Sequence, residues 1–128
     1  MKVIIAGSRT ITDYKIVKKA IEDSKVEITE VVSGGAKGVD SLGEKYAEEN
    51  NISCRYFYAD WKNINAPNAV VKENKWGKYN AKAGLNRNEE MAEHGDVLIA
   101  VWDGKSTGTK HMINCMEKLN KKVYIYEI

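Results

Sequence analysis

Short apolar runs separated by polar turns set the rhythm of this chain. Val3 to Ala6, Val26 to Val32, Ile52 to Tyr58, Val97 to Val101 and Val123 to Tyr126 are rich in β-branched or aromatic residues and too short for helices, so each predicts a strand. Between them, apolar positions recur at helical spacing. Ile16, Val17, Ala20 and Ile21 make one stripe, opened by a cap at Thr12 or Asp13 and ending near Ser24. Val39, Leu42, Gly43, Tyr46 and Ala47 make a second, with Glu44, Lys45, Glu48 and Glu49 on the other side. Ala81, Gly84, Leu85, Asn88, Met91 and Ala92 make a third, and Met112, Ile113, Met116 and Leu119 a fourth. The run Val3-Ile4-Ile5-Ala6 does not alternate with polar residues, which suits a strand covered on both faces. Strands alternating with helices predict one α/β domain over residues 1–128: three layers around a five-stranded parallel sheet, with strand order 3-2-1-4-5.

One stretch breaks the rhythm. From Ala59 to Tyr79 no periodicity holds, and the segment carries Pro67, Asn63, Asn65, Asn68, Asn74, Trp61 and Trp76. A connection of that length reads as a lid or a contact between copies, with a short helix from Ala69 to Glu73.

Composition adds bounds. With 43% hydrophobic and 30% charged residues and a formal net charge of +2, the chain reads as an ordinary globular domain whose lysines are interspersed with carboxylates. Nucleic acid is therefore not the expected partner. Cys54 and Cys115 show no metal-ligand spacing and read as reduced core residues, and no metal site is expected. The apolar run after Met1-Lys2 is too short for a secretory leader, and no run is long enough to span a membrane, so a cytoplasmic protein without a membrane partner is expected.

Candidate chemistry lies in three turns that follow strands. The first is Gly7-Ser8-Arg9, the second Gly34-Gly35-Ala36-Lys37-Gly38-Val39-Asp40, and the third Trp102-Asp103-Gly104-Lys105-Ser106-Thr107-Gly108-Thr109. In the expected strand order, the strands they follow are neighbours, so all three turns open on one crevice at the carboxyl edge of the sheet. Two helix N-termini, at Gly38 and at Gly108 to Thr109, would offer unpaired N–H groups there, with hydroxyls from Ser8, Ser106, Thr107 and Thr109 and a cationic fork from Arg9. A small phosphate-bearing ligand fits such a set. Glycine turns also join strands to helices for tightness alone. Asn88 interrupts an apolar stripe, so its amide is either a satisfied structural group or a ligand contact, with Arg87 beside it.

These blocks, together with Ala59-Asp60-Trp61 and Gly84-x-x-Arg87-Asn88-x-x-Met91, resemble the YspA/YpsA-related branch of the SLOG superfamily along nearly the whole chain. The resemblance implies a Rossmann-like domain that binds a nucleotide or a nucleotide-derived species such as an NAD-related or ADP-ribose compound, with no certain cofactor. Many relatives are bacterial or phage-encoded, and a homo-oligomer, commonly a dimer, is implied. Gly7, Ser8, Arg9, Gly34, Gly35, Ala36, Gly38, Asp40, Arg87, Asn88, Trp102, Asp103, Gly104, Ser106, Thr107, Gly108 and Thr109 are the implied ligand-binding residues.

Two other branches bracket the activity. LOG enzymes hydrolyse the N-glycosidic bond of nucleoside monophosphates with a carboxylate in the motif Pro-Gly-Gly-x-Gly-Thr-x-x-Glu, and the matching stretch here, Gly108-Thr109-Lys110-His111-Met112, has Met112 in its place. A thioether can neither activate water nor stabilise a ribosyl cation. A sensor or sequestering module is therefore the first reading, and a glycosidic hydrolase using Asp103 or Asp40 the alternative. Single-stranded DNA binding, as in the DprA branch, is the third. Asp40 has a structural explanation too, at the start of its own helix.

Overall fold

The computed structural model describes residues 1–65, 69–75 and 77–128. Pro67, Asn68 and Trp76 lie outside them. The elements follow as β1 (Lys2–Gly7), α1 (Tyr14–Ser24), β2 (Glu30–Ser33), α2 (Val39–Glu49), β3 (Ser53–Tyr56), β4 (Val71–Asn74), β5 (Gly77–Asn80), α3 (Ala83–His94), β6 (Val97–Trp102), α4 (Thr107–Lys118) and β7 (Lys122–Glu127). Five strands form one parallel sheet in the order β3-β2-β1-β6-β7, the expected 3-2-1-4-5 with a hairpin inserted in the numbering.

Side-chain alternation within the central strands builds two cores. Val3 and Ile5 of β1, Val31 of β2, and Ile99 and Val101 of β6 face one side, where Val17, Ala20 and Ile21 of α1 and Val39 and Ala47 of α2 cover them. Ile4, Ala6, Val32, Leu98 and Ala100 face the other, under Met91 and Ala92 of α3 and Met112, Ile113 and Met116 of α4. A strand buried on both faces has no polar positions to alternate, which is why these runs were unbroken. Of the two cysteines, Cys115 is buried in the second core and Cys54 only half-buried beside the first.

Beyond shifts of one or two residues at element ends, two features differ from expectation. β2 starts at Glu30 and not Val26, because β1 begins at Lys2 and its pairing with β2 runs from Lys2↔Glu30 to Ile4↔Val32. Val26 and Ile28 still pack against the first core, so their apolar character reflects burial without a strand partner. The segment after Ala59 holds an antiparallel hairpin, Val71 to Asn74 against Gly77 to Asn80, where a short helix from Ala69 was expected.

Asp13 supplies the α1 cap by accepting from Lys15 N–H at 3.0 Å, and Ser106 caps α4. Gly7 ends β1 where a Cβ would sit 1.9 Å from the Val101 carbonyl oxygen of β6. The carboxyl ends of β1 and β6 are thereby drawn together, and the turns beyond them meet.

Candidate functional site

A crevice of about 590 Å³ opens at the carboxyl edge of the sheet. All three turns reach it. Gly7, Ser8 and Arg9 come from the end of β1, Gly34, Ala36 and Asp40 from the passage between β2 and α2, and Asp103, Ser106, Thr107, Gly108 and Thr109 from the turn before α4. Arg87 and Asn88 enter from α3. Four of the expected residues do not line it. Gly35 lies against the Tyr58 ring, Gly104 faces the Glu127 carboxylate, and Trp102 sends its indole N–H to the Ser106 carbonyl at 3.1 Å while packing on the second core. Gly38 is held beneath the first turn, its φ of 76° placing a would-be Cβ 2.5 Å from the Ser8 carbonyl oxygen. Only glycine meets both conditions. It serves the joint between two turns and not the approach of an anion.

The glycine turn does not offer its amides as expected. Gly35 N–H donates to Ser33 Oγ at 3.1 Å, Ala36 N–H to an Asp40 carboxylate oxygen at 3.3 Å, and Val39 N–H to the Ser8 carbonyl at 3.4 Å. Asp40, only 6% exposed, thus fills from within the anion position that the sequence assigned to a ligand. Burial raises its carboxyl from 3.8 to about 6, against the pull of the Ala36 and Gly34 amides and of the Arg87 guanidinium, while Glu44 adds to the rise. Arg87 donates to the Gly34 carbonyl at 2.6 Å and, through Nε, to Asn88 Oδ1 at 3.2 Å. Burial lowers the Arg87 guanidinium below its ordinary value, and Asp40 opposes that.

Asn88 is a satisfied amide. Besides Arg87, it meets the Gly108 carbonyl at 3.4 Å and His111 Nδ1 at 3.2 Å, so it ties α3 to the first turns of α4 and orients Arg87. Ser8 is likewise engaged, its Oγ accepting from Asp103 N–H at 3.1 Å. Asp103 accepts from the N–H groups of Lys105 at 2.8 Å and Ser106 at 2.9 Å, which hold its carboxyl below the usual range. A carboxylate so fixed stays ionised at neutral pH and has no proton to give.

What remains open to a ligand is the start of α4. Ser106 Oγ accepts from Thr109 N–H at 3.4 Å and from Thr109 Oγ1 at 3.1 Å, so Thr109, 4% exposed, completes the cap. The N–H groups of Thr107 and Gly108 have no partner among the described residues, and a Cβ built on Gly108 meets nothing within 4 Å. Arg9 and Lys105 line the same crevice. Sequence reasoning passed over Lys105, although a cation inside a polar turn that follows a strand was a readable signal. It also passed over Thr10 and Leu85, which line the crevice as well. Met112 forms part of the crevice wall, 1% exposed.

Residues 1–63, which run from β1 through β3, match the model of the YspA, cpYpsA-related SLOG family. Over those residues, just under half of its length, the chain is similar to that family. The fold as a whole is shared with solved structures of DNA processing protein A (DprA). The Streptococcus pneumoniae structure superposes with a TM-score of 0.71 at 21% identity, over 97% of this chain and 49% of that one. A Helicobacter pylori structure, described for the single-stranded DNA binding mode of its DprA, gives 0.67 at 22% identity, over 98% and 64%. The chain therefore spans between about half and two thirds of the DprA chains it matches. No curated protein matches it.

That likeness corrects the expectation about nucleic acid. Net charge was averaged over the whole chain, and a fold shared with a single-stranded DNA binder shows that the average does not exclude such a partner. Local placement is what counts. Arg9, Lys37, Lys62 and Lys105, all exposed, sit in the turns after β1, β2, β3 and β6, at one edge of the sheet. The acids nearby are Asp13, which caps α1, Asp60, the buried Asp40, Asp103, held in its own turn, and Glu127, which faces Gly104. Among the described residues, no helix is long and apolar enough to cross a membrane.

Proposed function

We propose that the crevice binds the phosphate of a nucleotide and that the protein acts as a binding module. The observation that carries this is the start of α4: two N–H groups without partners among the described residues and open space at Gly108, in a crevice that Arg9 and Lys105 also line. A helix N-terminus carries about half a positive charge, and unpaired amides there favour an anion. Hydrolysis of the glycosidic bond is the weaker reading on chemistry. Met112 offers no ionisable group, Asp103 has no proton to give and is engaged by the N–H groups of Lys105 and Ser106 in its own turn, and Asp40 lies under Arg87 and the Ala36 amide.

Titration of AMP, ADP-ribose and NAD into the protein, followed by calorimetry and by the release of free base, tests both parts. Binding without turnover, weakened about tenfold or more in Arg9→Ala combined with Lys105→Ala, is expected. Release of base that is lost in Asp40→Asn would replace the module with an enzyme.

Single-stranded DNA is a second reading, favoured by the DprA fold and the four rim cations. In that case the crevice takes one nucleotide of a strand. The affinity for oligothymidine would then fall with salt at a slope of about −3 on logarithmic axes, from four phosphate contacts at roughly 0.7 each. Free nucleotide binding with no salt-dependent oligothymidine binding would remove it.

A further inference from the structure

The wall facing away from α4 is apolar, and it indicates what else the ligand carries. Trp61, just beyond β3, lines the crevice yet is 43% exposed, and Leu85, 41% exposed, lines it on the same side. The indole is not loose. Its backbone carbonyl accepts Asn80 N–H at 2.6 Å, fixing the residue to the end of β5, and its six-membered ring rests on Gly84, where a Cβ would lie 3.1 Å from Cη2. An anchored indole left nearly half open inside a crevice has a face to offer. Trp102 differs on each count, with its N–H bound to the Ser106 carbonyl and its ring packed on the core.

We infer that Trp61 is the platform on which the ligand's base stacks, so that the site selects a nucleotide carrying an aromatic base over a bare sugar phosphate. This rests on the phosphate reading given above. The spacing fits. Gly84 supports Trp61, and Asn88, one turn further along α3, meets Gly108 at the start of α4. A single helical turn, ~5–6 Å, therefore separates along α3 the residue under the indole from the one that meets the start of α4, which keeps both within the span of one nucleotide. Stacking of a base on an aromatic side chain needs no particular base, so the platform would accept purines and pyrimidines alike, with purines favoured by their larger face.

The test compares AMP with ribose 5-phosphate in the wild type, Trp61→Ala, Trp61→Phe and Gly84→Ala. In the wild type, AMP should bind about tenfold or more tightly than ribose 5-phosphate. Trp61→Ala should lose that preference while leaving ribose 5-phosphate affinity unchanged, and Trp61→Phe should restore part of it. Gly84→Ala, which suits a helix better but displaces the indole, should weaken AMP alone. Equal losses for both ligands in Trp61→Ala, or no loss for AMP, would overturn the platform while leaving the phosphate site standing. Failure of the wild type to bind either ligand would overturn both.

Discussion

Asp40 gives the most exacting test of how this site is built, because its burial has a thermodynamic signature independent of any ligand. The carboxyl titrates near 6 in the folded chain and near 3.8 in the unfolded one. Between those values the folded state holds the proton more tightly, so stability is greatest at low pH and is lost as pH rises through that window. At about 1.4 kcal/mol per pH unit, the whole contribution is about 3 kcal/mol, of which about 2 kcal/mol falls between pH 4.5 and 7.5. Replacing the group by Asp40→Asn keeps its shape and an acceptor for Ala36 N–H while removing the titration. Urea unfolding of both proteins across this range is the assay. The wild type should lose about 2 kcal/mol relative to Asp40→Asn as pH rises from 4.5 to 7.5. A difference between the two that stays constant with pH, or wild-type stability that rises relative to the variant, would refute the reasoning that the turn is filled by its own desolvated carboxylate.

Two other substitutions separate structural parts of the site from the ligand-facing part. Gly38→Ala combines a left-handed φ of 76° with a Cβ 2.5 Å from a backbone carbonyl, so a loss of about 3 kcal/mol or more is expected in denaturant unfolding. Ser106→Ala removes the α4 cap and should cost about 1 kcal/mol in the same assay, because Thr109 N–H and Oγ1 lose their acceptor.

The sheet was legible because burial on both faces leaves an unmistakable pattern in the sequence. β1 and β6 are unbroken apolar runs, and their position at the centre follows from that alone. The hairpin β4–β5 was not legible, since Val71 to Asn74 are all exposed and the pair is held by backbone bonds that leave no trace in side-chain periodicity. The convergence of three turns was readable from strand order. Which amides would be free was not. That depends on where the Asp40 carboxylate folds, and on Ser8, Ser33 and Asp103 closing hydrogen bonds across and within turns. The helix α4 offered the same residue types as the glycine turn and kept its amides open, because its cap is a serine that serves only Thr109 and because Asp103 turns back to Lys105 and Ser106. That Trp61 lines the crevice while Trp102 packs on the second core was likewise legible only in the structure, for both stand at or just beyond strand ends.

Calorimetric titration of AMP into the wild type and Gly108→Asp tests the central claim most directly. A Cβ at the second position of α4 meets nothing within 4 Å and a carboxylate there suits the helix dipole, so the fold should be as stable as before or slightly more so. The same carboxylate would occupy the place of the phosphate and repel it, and AMP affinity should fall at least tenfold. Unchanged AMP affinity in a folded Gly108→Asp protein would contradict a phosphate site at the start of this helix.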